Sequence, residues 1–303
     1  MLQSLKKMIP NEDLEKWKQA GHIAAQALEY GRLLIKPGAK IRDVCDAVDK
    51  KIIELGAKPA WPTQVGCDEI AAHQTPDPDD DAIFENQVIC LDVGAHVDGF
   101  VGDNAVSVDL SGKYSDLVKA SKEALDTAIK MLAPGVEILS IGKAIQEVIT
   151  SHGFSPVKNL TGHGISRWVI HDKPSMPNYA TGTGVLKAGQ IIAIEPFATN
   201  GKGLIEEAEQ SNLFALGEKK PVRSPFAREI QQFVEKEYGP LPFTTRWLTP
   251  KFGKGKVSLA LRELLQVGSL RSYPPLVEQA RGMVTVCEKT MLIGENTIIL
   301  TQI

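Results

Sequence analysis

The sequence predicts an α/β (α+β) domain made of two related halves, with a helical subdomain inserted into the second. Three observations predict it: two segments that match at a constant offset, a hairpin carrying two aspartates, and a late stretch that loses strand character and reverses its charge balance. A length of 303 residues suffices for one large domain or two small ones, and 43% apolar residues can build a core without staples.

The repeat comes first. Residues 37–59 (PGAKIRDVCDAVDKKIIELGAKP) align with 134–156 (PGVEILSIGKAIQEVITSHGFSP) at an offset of 97. Apolar residues Ile41, Val44, Val48 and Ile52 recur at helical spacing, as do Ile138, Ile141, Ile145 and Ile149, so each segment reads as a helix that starts after Pro-Gly and ends at Gly56 or Gly153. The likeness continues in the same order. Ile70-Ala-Ala-His73 resembles Trp168-Val-Ile-His171, and Gln87-Val-Ile-Cys-Leu-Asp92 resembles Gln190-Ile-Ile-Ala-Ile-Glu195. Each copy therefore brings a helix, a histidine loop and a strand with a carboxylate. Two copies are too few for a solenoid and suit a pseudo-twofold domain with a site between its halves.

The hairpin is VICLDVGAHVDGFVGDNAVSVDL, residues 88–110, turning at Val97-Asp98-Gly99. Asp92 and Asp103 lie an odd number of residues apart. On one strand they would point to opposite faces; across a hairpin with an even loop they share a face. Two carboxylates on one half-buried face repel and lose hydration, which a shared proton or a bound cation resolves. Asp98 and Asp109, in the same hairpin, read as ordinary turn and surface residues.

Further candidate ligands follow. His163 stands between glycines, and Glu195 and Glu288 each end an apolar strand. Four carboxylates and one imidazole form a hard, mainly oxygen set that suits two divalent ions such as Co, Mn, Fe or Zn. Bridging carboxylates hold such ions about 3.5–4 Å apart.

After Ile205 strand character fades. Residues 225–238 and 257–270 read as helices joined by a Pro- and Gly-rich link, 239–256. Residues 218–271 carry 11 Lys/Arg against 5 Asp/Glu, a balance of +6, and the remainder of a chain whose net charge is −3 is −9. The expected division is 1–205 and 272–303 for the main domain and 206–271 for the insert. Strand pattern returns at 283–288 and 297–303.

The mild net charge argues against a DNA-binding role. No segment is apolar and long enough for a signal peptide or membrane span, and Cys45, Cys67, Cys90 and Cys287 lack metal-site spacing, so a cytoplasmic protein with reduced thiols is expected. Gly182-Thr-Gly-Val reads as a loop, not a phosphate cradle.

The ordered set Asp92, Asp103, Gly162-His163-Gly, Ile194-Glu195-Pro-Phe-Ala-Thr199 and Cys287-Glu288-Lys-Thr290 resembles the pita-bread metallopeptidases, nearest to type II methionine aminopeptidases of the short archaeal kind. The resemblance spans nearly the whole chain, and the stretch between Glu195 and Glu288, which lie 93 positions apart, holds the helical insert that marks type II. It implies a curved, mostly antiparallel sheet with outer helices, acting on peptide and nascent-protein amino termini as a monomer, with a ribosome contact as a further option. It implies Asp92 and Asp103 on one metal, His163 and Glu195 on a second, and Asp103 and Glu288 as bridges. Glu195 would shuttle a proton. His73 and His171 would contact the scissile peptide, and Trp61 and Ile170 would line a methionine pocket. Trp61 stands where type II enzymes usually carry Phe, Asn212 where eukaryotic forms place His, and Lys289 where His is common. Two other readings remain open: an Xaa-Pro peptidase-like hydrolase, and a non-catalytic relative that binds RNA or ribosomes.

Overall fold

Gly38 and Gly135 hold positive φ values of 86° and 88°, so each Pro-Gly turns the end of one helix into the start of the next. The computed structural model describes residues 9–303. The expectation that the amino terminus carries no export signal falls partly on residues 1–8, outside the described residues. In the first half, helices α1 (Asn11–Leu34) and α2 (Ile41–Glu54) pack on the strand pair Val88–Val97 and Phe100–Asp109. In the second, α3 (Ser115–Met131) and α4 (Ile138–Ser151) pack on Ile191–Ile194 and Lys289–Leu292.

The stripes read from sequence face the core: Val44, Val48 and Ile52 in α2 are buried with Ile41 partly so, and Ile138, Ile141, Ile145 and Ile149 in α4 are all buried. Each half thus has its own apolar core. The repeat is longer than its sequence signal, because α1 and α3 also end 97 residues apart, at Leu34 and Met131. Local closures match as well. Gly38 N–H donates to Phe84 O at 2.7 Å, and Gly135 N–H to Leu186 O at 2.8 Å.

The first-half hairpin is an unbroken ladder from Val88 opposite Asp109 to Val97 opposite Phe100. Its Asp98-Gly99 turn has positive φ at both residues, 52° and 86°, as a two-residue turn of this hand requires. The second-half counterpart is interrupted. Ile194 pairs with Lys289 and Phe197 with Val286, and between them Pro196 has no N–H to give the ladder. The halves join along their central strands. Thr290 Oγ donates to Asp103 O at 2.8 Å and accepts from Asp103 N at 2.9 Å, and Glu288 N–H donates to Ala105 O at 3.0 Å.

The chain leaves and re-enters this body through paired strands, Ile205–Glu207 against Leu276–Glu278. Beyond them lie α5 (Pro225–Glu237), α6 (Thr245–Phe252) and α7 (Lys254–Gln266) around a separate core that includes Ile230, Phe243, Leu248 and Leu264. Two expectations need correction. Strand structure persists after Ile205, since Leu213–Leu216 pairs with Phe243–Thr244 and Leu270–Ser272. The 239–256 link contains a helix despite Pro250. Three- and four-residue strands are too short to display a period, and a proline masks a two-turn helix. The second insert helix also stops earlier than expected, before Gly268 with φ 73°.

A buried polar network ties the insert to the first half. Arg246, 5% exposed, pairs with Asp46 and, at 3.0 Å, with Asp49, and Trp247 Nε1 donates to Asp49 at 2.8 Å. No helix among the described residues is long and apolar enough to cross a membrane. The four cysteines are free thiols.

Candidate metal centre

Asp92 lies opposite Ala105, and Asp103 opposite Gly94. The two carboxylates are therefore diagonal neighbours on one face, as the odd spacing predicted. In the second half the registers on either side place Glu195 opposite Glu288. His163 pairs with Ala193 on the next strand, two residues before Glu195. The seam between the halves brings all five into one cleft of about 310 Å³, together with His73, His171, Trp61 and Ile170.

Asp103, His163 and Glu288 are buried, and their donor atoms lie within 4.8 Å of one another. His163 Nδ1 lies 3.0 Å from Gly164 O. A carbonyl only accepts, so Nδ1 carries the proton and Nε2 keeps its lone pair. That lone pair faces Asp103 Oδ2 and Glu195 Oε1, each at 3.6 Å. Burial pushes Asp92 up to about 7. Burial and the mutual repulsion of the acids raise Asp103, Glu195 and Glu288 well above the ordinary carboxylate range. Burial lowers His163 to about 3, with His171 adding to the effect. Among the described residues no Lys or Arg pairs with these acids to offset the rise. Hard oxygen donors and one oriented imidazole, with the donor atoms of Asp103, His163 and Glu288 within 4.8 Å of one another, fit divalent metal.

The remaining predicted residues surround this cluster. His73 has a positive φ of 62°, and its Nδ1 is buried without a hydrogen-bond partner. Strain and an orphaned nitrogen are features expected of a site residue. Gln64 accepts its N–H at 2.6 Å, its ring meets Tyr273 edge-on at 5.6 Å, and burial lowers its pKa to about 4. His171 stacks edge-on against His163 at 4.5 Å and opens to the cleft, while the surrounding protein still lowers its pKa. Trp61 and Ile170 share an apolar cluster.

Trp61 does more than sequence reasoning assigned to it. Its Nε1 donates to Asp92 at 3.2 Å, and its ring lies against Gly94, where any Cβ would come within 2.3 Å. Asn212 and Lys289 lie outside the cleft lining. Asn212 donates to Thr75 O, and Lys289 reaches Thr301 O at 2.7 Å. Sequence reasoning missed Gln64, Tyr273, Arg271 and the segment Pro240-Leu241-Pro242, all of which line the cleft. Three of these four lie in or beside the insert and carry no local signal of their placement.

A duplicated α/β body with a buried acidic cluster at its seam defines a metal-dependent hydrolase of the pita-bread class. Residues 15–222 match the metallopeptidase family M24, and the chain belongs to that family. It is 44% identical to a methionine aminopeptidase of Archaeoglobus fulgidus over 96% of this chain and 99% of that protein. It is 41% identical to one of Methanocaldococcus jannaschii over 96% and 98%. Among solved structures, a methionine aminopeptidase of Thermotoga maritima superposes with a TM-score of 0.72 at 26% identity, covering 98% of this chain and 99% of that one. A thermophilic Arx1 superposes with a TM-score of 0.85 at 21% identity, covering 96% and 91%, which shows a shared fold.

Proposed function

We propose that this chain is a methionine aminopeptidase that removes the initiator methionine from nascent proteins and peptides. The carrying observation is that four carboxylates, one imidazole with a free lone pair, two further histidines and an apolar wall meet in one cleft. The full-length similarity to methionine aminopeptidases supports the same reading. We assign Asp92, Asp103, His163, Glu195 and Glu288 as ligands of two divalent ions (Co, Mn, Fe or Zn), with Asp103 and Glu288 shared between them. Bound there, such ions would supply Lewis acidity at the scissile bond and acidify water.

The protein's own groups do the rest. Glu195 takes the proton given up by the attacking water on its carboxylate and returns it to the departing amine. His73 and His171 are neutral near pH 7 and aim ring N–H groups at the peptide carbonyl, where negative charge develops. Trp61 and Ile170 enclose the methionine side chain, and Trp61 also holds Asp92 in place. Residues 1–205 and 272–303 form the catalytic domain, and 206–271 is an inserted subdomain that walls one side of the cleft. We place the enzyme in the cytoplasm as a monomer, with the basic insert as the surface for any ribosome contact and no role for DNA.

A peptide panel varying the first two residues tests the reading. With a divalent metal supplied, cleavage should require methionine first, a small residue second and a free amino terminus. Preference for an Xaa-Pro bond would favour the prolidase-like reading. No cleavage with any of the four metals would favour the non-catalytic one.

A further inference from the structure

Arg271 is the one Lys or Arg among the residues that line the cleft. It pairs with Ala215 on the short strand Leu270–Ser272, and the pairing continues through Tyr273 N–H to Leu213 O at 2.9 Å. Arg271 and Tyr273 are two residues apart on extended backbone, so they share a face, and both line the cleft while Ser272 does not. Tyr273 stands against His73, and Arg271 is the more exposed of the two. Its side chain lies near Gly217, where an added Cβ would sit 3.8 Å from Nε. Among the described residues it has no ion-pair or hydrogen-bond partner for its guanidinium. This unpaired cation lines the same cleft as four carboxylates.

We propose that Arg271 is a specificity-determining residue that reads a carboxylate on the third or fourth residue of the substrate. This rests on the aminopeptidase reading, in which His73 marks the scissile peptide. Two residues of strand carry Arg271 roughly 6.6 Å outward from Tyr273, about the advance of two residues of an extended peptide leaving the site. The ligand chemistry is an aspartate or glutamate side chain met by a forked cation at a half-solvated rim.

The test uses the metal-loaded full-length enzyme and carboxy-terminally amidated Met-Ala peptides with Glu, Gln or Lys at the third or fourth position. Wild type should cleave the Glu peptide about three- to fivefold faster than the Gln peptide in kcat/KM at low salt, with the preference shrinking as salt rises. Arg271→Lys should keep the preference, Arg271→Ala should abolish it, and Arg271→Glu should reverse it in favour of Lys. Because the readout is a ratio within one enzyme preparation, a general change in activity cancels. Equal cleavage of the three peptides by wild type, or an acidic preference that survives Arg271→Glu, overturns the proposal and leaves the aminopeptidase reading intact. Failure to cut any of these peptides removes both.

Discussion

Two sets of buried carboxylates in this molecule have opposite surroundings. Glu278, fully buried at the stem of the insert, accepts four backbone N–H groups, from Lys202, Gly203, Ala280 and Gly282, at 2.6–3.1 Å. Burial alone would raise its pKa, but those four donors bring it below the ordinary value. In the cleft, Asp92, Asp103, Glu195 and Glu288 share one nitrogen donor among the described residues, Trp61 Nε1 on Asp92, and burial raises all four. The fold supplies N–H groups to the carboxylate at the stem. Among the described residues it gives the acids of the cleft one such donor, which leaves lone pairs free, as the proposed metal site requires.

The largest expected effect separates the sets by activity. Glu288→Ala should lose at least one bound metal and nearly all peptidase activity, yet the metal-free protein should melt no lower than wild type, because one of four crowded acids is gone. Elemental analysis and a melting scan check this; full activity with two retained metals would contradict the assignment. Next, Glu278→Gln should cost roughly 1.5–3 kcal/mol at neutral pH, since an amide cannot accept from all four donors. The folded-state pKa of Glu278 is depressed, so its stabilisation is complete above the unfolded value near 4.3 and is lost as pH falls through the folded value. The gap between wild type and variant should therefore close in acid, and a pH-independent gap would break the comparison. The smallest effect concerns the lone donor. Trp61→Phe should weaken metal affinity about tenfold while leaving the fold intact, measured by metal titration at fixed pH. Unchanged affinity would mean that the 3.2 Å contact does not position Asp92.

The two carboxylate pairs of the cleft also differ in how far they could be read in advance. Asp92 and Asp103 sit in one uninterrupted hairpin, and their odd spacing with a two-residue turn was enough to put them on one face. Glu195 and Glu288 face each other though they lie 93 positions apart in the chain, and only their place in an ordered set resembling a known family linked them. The helices after the Pro-Gly pairs were legible because four apolar residues at helical spacing are a local pattern. The strands Leu213–Leu216 and Leu270–Ser272 were not, because short strands take their partners from distant chain.

By itself the sequence determined the duplicated units and the hairpin. Periodicity, turn chemistry and side-chain identity are properties of neighbours along the chain. Only the tertiary structure decided that Glu288 N–H meets Ala105 O at the seam, that Trp61 Nε1 meets Asp92, and that Tyr273 and Arg271, at the end of the short strand Leu270–Ser272, line the same cleft as the acids. Those contacts depend on how two apolar cores and the strands between them pack together, and packing between distant segments leaves no periodic trace in either one.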